Sequence, residues 1–76
     1  MEDRLKYILS ALLMVDIKII DNNSSAKTIE EWDSFKQMNI IVAIEEEFDV
    51  QFDEDDTILL NSYKLLLKSL NDKFHK

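Results

Sequence analysis

Residues 31–52 read EWDSFKQMNIIVAIEEEFDVQF. On a wheel of about 100° per residue, Ile40, Ile41, Ile44 and Phe48 share one side of a helix over 34–48 and form its core face. Phe35, Met38 and Val42 fall on a different side, roughly opposite Ile40 and Ile44. Ser34 projects near the boundary of this second stripe, and Glu45 and Glu46 border it further along. Asp33 or Ser34 can cap the helix, and Ser34 with Gln37 makes an S-x-x-Q capping box. One helix cannot bury both sides against a single small core, and three explanations are open. The helix is buried all round, against which Lys36, Asn39 and the three glutamates at 45–47 speak. The stripe is chance, since single exposed apolar residues are common. Or it is a docking surface, ringed by acid and set beside a serine.

The flanking segments are also helical. Over residues 3–15, Leu5, Ile8, Leu9, Leu12 and Val15 make one stripe, with Glu2 and Asp3 at the end where the helix dipole favours acid. Residues 16–33 break the pattern. DNNSSAKT is rich in turn formers, and Ile17, Ile19, Ile20, Ile29 and Trp32 are expected to pin this long loop to the core. Residues 49–56 form an acidic link anchored by Val50 and Phe52. TILLN gives a brief helical turn. Over 61–74, Tyr63, Leu66, Leu67, Leu70 and Phe74 make a last stripe, capped by Asn61 or Ser62. The chain has no glycine and no proline, the residues hairpins usually require. The expected class is therefore all-α: three main helices, a short one and a long first loop.

At 76 residues the chain is expected to be one domain, residues 1–76. With no cysteine, and with His75 as the one strong nitrogen ligand, neither a disulfide nor a zinc site is expected. The link DVQFDEDD lacks the central glycine and terminal glutamate of a calcium loop. His75, near the end, is expected in solvent, and no Ser-His-Asp or paired-carboxylate set can be assembled, so no catalytic residue is assigned. No apolar run is long enough to span a bilayer, and the Met-Glu-Asp start is the wrong charge for a secretory signal. A cytoplasmic protein without membrane insertion is expected. Net charge is −7, with eleven acidic residues against Lys36 alone between Thr28 and Ile58. This field disfavours nucleic acid and favours basic protein surfaces, and it also keeps a small protein soluble.

The run WDSFKQMNIIVAIEEEFDVQF resembles the acyl and peptidyl carrier proteins. Their Asp-Ser-Leu signature at the start of the second helix reads Asp33-Ser34-Phe35 here, and that helix ends Glu45-Glu46-Glu47-Phe48. The spacing of FDEDDTILLNSYKLLLKSL matches as well, so the resemblance covers nearly the whole chain. It implies a small four-helix bundle of the acyl-carrier type. It implies that Ser34 carries 4′-phosphopantetheine, taken from coenzyme A by a phosphopantetheinyl transferase that recognises Asp33. The arm's thiol would hold an acyl or aminoacyl group as a thioester, and the protein would be a carrier and not an enzyme. Phe35, Met38, Val42, Glu45 and Glu46 would meet loading, acyltransferase and synthase enzymes with basic docking surfaces, and the carrier would be a monomer.

The chain departs from the family pattern at four places. Glu31 stands where a glycine is usual, Phe35 where leucine is common, Lys36 where fatty-acid carriers often show acid, and Asn39 where glutamate is frequent. These departures point to a stand-alone carrier in a specialised pathway. A cofactor-free helical module that docks basic partners through the same acidic face is the alternative.

Overall fold

The computed structural model describes residues 2–74; His75 and Lys76 lie outside the described residues. Four helices follow one another: α1 (Glu2–Leu13), α2 (Ser34–Phe48), α3 (Glu54–Leu59) and α4 (Tyr63–Phe74), with a 3₁₀ turn at Ile17–Ile19. The described residues contain no strand. The all-α expectation of three main helices, a short one and a long first loop holds.

The core is built from one face of each long helix. Leu5, Leu9 and Leu13 of α1 meet Ile40, Ile41 and Ile44 of α2 and Tyr63, Leu66 and Leu70 of α4, all almost fully buried. Ile20, Ile29 and Trp32 of the long loop, with Leu60 after α3, close the same cluster. Ile17 and Ile19 were expected among the anchors, but both are exposed on the 3₁₀ turn. The loop is held by hydrogen bonds instead. Asp21 N–H donates to Ser24 Oγ at 2.9 Å, Asn23 N–H to Asp21 Oδ1 at 2.8 Å, and Ser25 N–H to Thr28 Oγ1 at 2.9 Å. These are the local bonds by which Asp, Ser and Thr shape turns. Ala26 N–H donates to Asn61 O and Tyr63 N–H to Ser24 O, which fixes the loop to the junction of α3 and α4.

Three boundaries differ from the sequence expectation, each for a local reason. The first helix ends at Leu13 and not at 15, because Met14 turns left-handed at φ 57°. Val15 N–H then reaches back to Ser10 O at 3.2 Å, and Leu13 joins the buried face while Leu12 stays partly buried. Helix α3 starts at Glu54, inside the segment expected to be a link, because Asp53 N–H donates to Asp56 Oδ2 at 3.3 Å and Thr57 N–H to Asp53 O at 3.2 Å. Its acidic first turn lies where the helix dipole favours negative charge. Helix α4 starts at Tyr63, with Ser62 as the capping side chain: Leu65 N–H donates to Ser62 Oγ at 3.2 Å. At the far end of the bundle Phe48 and Phe74 meet edge to face, 6.4 Å between centroids.

Candidate functional site

The site begins with how α2 starts. Asp33 is the cap: Lys36 N–H donates to Asp33 Oδ1 at 2.8 Å, and Gln37 N–H to Asp33 O at 2.8 Å. Ser34 is therefore the first helical residue, and of the two capping candidates Asp33 takes the role. The Ser34–Gln37 capping box does not form. Gln37 turns away from the helix start and is buried, its side-chain carbonyl accepting from Trp32 Nε1–H at 2.7 Å. Its amide donates to Leu60 O at 2.9 Å and to Thr57 O at 3.1 Å.

Ser34 is the exposed member of a set of six serines; Ser24 is buried, and Ser10, Ser25, Ser62 and Ser69 are partly buried. It stands on the rim of a cleft of about 500 Å³ between α2 and α3. Trp32, Met38 and Ile58 give this cleft apolar walls, and Asp33, Gln37 and Thr57 complete much of its lining. The first N–H groups of a helix have no intrahelical partners, and with the aligned peptide dipoles they favour a phosphate ester at such a position. An exposed hydroxyl at a helix start beside an open cleft fits the attachment of a phosphate-linked arm.

The second stripe of α2 lies in solvent. Phe35 keeps 72% of its surface exposed, Met38 51% and Val42 48%, so the helix is not buried all round. Met38 shares the cleft beside Ser34, whereas Val42, Glu45 and Glu46 line a separate depression of about 360 Å³. Glu46 is exposed. Glu45 is half-buried, and its Oε2 accepts from Phe52 N–H at 2.9 Å, tying the α2–α3 connection to the helix. Glu47 points elsewhere and pairs with Arg4 across to α1 at 3.3 Å.

Sequence reasoning missed two contributors to this surface. Ile58 and Leu59 of α3 are 72% and 63% exposed, and Ile58 walls the cleft beside Ser34. It also missed the interior role of Gln37. The signal was present, because residue 37 lies on the same helical face as Ile40, Ile41 and Ile44.

The chain matches no family model. It is 33% identical over 75 residues to the acyl carrier protein of Buchnera aphidicola subsp. Schizaphis graminum (strain Sg), across 99% of this chain and 95% of that protein.

Proposed function

The chain belongs to the acyl carrier protein family, and we propose that it carries acyl or aminoacyl groups through 4′-phosphopantetheine attached to Ser34. The observation that carries the assignment is the placement of Ser34: exposed, first in α2, directly after the Asp33 cap and on the rim of an apolar-walled cleft. The arm's thiol would supply the thioester chemistry that a chain without cysteine lacks. In the attachment step the Ser34 oxygen bonds to the phosphorus of coenzyme A's pantetheine phosphate. The pyrophosphate bond breaks, adenosine 3′,5′-bisphosphate leaves, and the serine proton passes to a base of the transferase. Asp33 holds the helix start rigid for that enzyme and presents a carboxylate beside the hydroxyl.

Partner enzymes dock on the second stripe in this reading. Phe35, Met38 and Val42 supply apolar contact, with Glu45 and Glu46 drawing basic side chains to its edge. Ile58 and Leu59 extend the surface across α3. Docking is transient, so the stripe is in water between encounters. The chain acts as one domain and one monomer, in the cytoplasm, and is the substrate of its partners and not a catalyst. Among the described residues no helix is long and apolar enough to cross a membrane. The departures at Glu31, Phe35, Lys36 and Asn39 favour a specialised pathway.

The test is the intact mass after incubation with coenzyme A, magnesium and a promiscuous phosphopantetheinyl transferase. The expected result is a gain of one phosphopantetheine, absent in Ser34→Ala. An unmodified but folded chain beside a working control would leave Ser34 a helix-start residue and favour the cofactor-free module.

A further inference from the structure

Helix α3 cannot stand alone. It has six residues and none of them is buried, and so short a helix is unstable without outside support. Its last carbonyls lack intrahelical partners by the geometry of any helix end. Two of the carbonyls at this end, those of Thr57 and Leu60, receive their hydrogen bonds from the Gln37 side chain. The same side chain accepts the indole proton of Trp32 on the other wall of the cleft. One buried amide thus joins α2, α3 and the loop before Ser34, directly beneath the cleft that Ser34 borders.

We infer that Gln37 is a positioning residue, a latch that holds α3 on α2 and shuts the interior beneath Ser34, so that cargo lies in the open cleft and not among the core leucines and isoleucines. An alkyl chain pushing inward past residue 37 would separate the amide from Thr57 O, Leu60 O and the Trp32 N–H. Three polar groups would then lose their partners, two of them held in buried hydrogen bonds, which opposes entry. Short or polar loads, which need no apolar interior, are the cargo class this latch suits. The cargo statement rests on the carrier reading; the latch itself does not.

Hydrogen exchange on the unmodified full chain tests the latch. Gln37→Glu keeps an acceptor for Trp32 but removes both donors to α3. Its α3 amides, Thr57 and Leu60, are expected to exchange roughly tenfold faster or more, with Ile44 and the Trp32 indole little changed. Gln37→Met, similar in size, is expected to expose the indole proton as well. Unchanged α3 exchange in both variants, or uniform acceleration across all helices, overturns the latch. The cargo statement is tested with an octanoyl thioester on Ser34. In the wild type, hydroxylamine is expected to cleave it at the rate of free octanoyl-pantetheine, and several-fold more slowly in Gln37→Met. Protection already present in the wild type overturns the shut interior. A chain that accepts no arm contradicts the carrier reading and the cargo statement with it, while the exchange data still judge the latch.

Discussion

Ile40, Ile41 and Ile44 leave α2 on one side and are almost wholly out of water, whereas Phe35, Met38 and Val42 leave it on the other and keep about half or more of their surface in it. The two sets are alike in chemistry, so hydropathy alone does not separate them. Their neighbours do. The first set faces α1 and α4, which supply leucines at matching positions. The second borders a short helix with no buried residue of its own, and among the described residues no further element covers it. One side of α2 serves stability and the other is available for contact, and substitutions on the two sides should therefore fail in different ways.

The largest effect on stability is expected on the dry side. Ile44→Ala should cost about 2–4 kcal/mol in urea unfolding, the range for emptying a packed aliphatic site. A much smaller loss would mean that α2 does not pack as described. At the boundary between the sides, Asp33→Ala removes the cap on Lys36 N–H and should cost about 1 kcal/mol, with Asp33→Asn recovering most of it.

Tyr63 gives a smaller effect of opposite sign. Its ring is buried with Lys6 over one face, and its hydroxyl has no hydrogen-bond partner among the described residues. Burial first, and then the nearby Glu2 and Asp3 carboxylates, raise its pKa above the ordinary 10.0. Because the folded pKa exceeds the unfolded one, the neutral phenol's contribution is complete below the ordinary value and is lost as pH rises through the raised one. Tyr63→Phe should therefore match or exceed the wild type by up to about 1 kcal/mol at neutral pH. It should also lose this residue's share of the decline in stability at high pH, which denaturation across that range would reveal. On the wet side, Met38→Glu should change stability by no more than about 0.5 kcal/mol while slowing turnover by partner enzymes. A large loss of helix signal there would make Met38 a core residue and erase the contrast between the sides.

The span of α2, the buried Ile40, Ile41 and Ile44 and the exposed Phe35, Met38 and Val42 were legible in the sequence, because a long amphipathic helix repeats its signal over several turns, whereas Gln37 proves buried and Phe48 only partly so. The ends of shorter elements were not. Met14 takes a left-handed turn that normally announces itself with glycine, and this chain has none. The acids at 53–56 look like a solvated link, but the Asp56 carboxylate accepts from Asp53 N–H and helps start α3. That α2 opens at Asp33-Ser34 was legible from the capping residues ahead of the apolar run. The S-x-x-Q spacing points Gln37 to a local capping box, whereas two of its three partners lie 20 and 23 residues further on, a pairing that local spacing does not encode.

In the proposed carrier Ser34, and not another hydroxyl, bears the arm. Peptide mapping of the transferase-treated chain tests it most directly, since the chain offers five other serines at 10, 24, 25, 62 and 69. Phosphopantetheine is expected on the peptide containing Ser34, with fragmentation that places it on that residue alone. The same mass on any other serine, or on none, would contradict it.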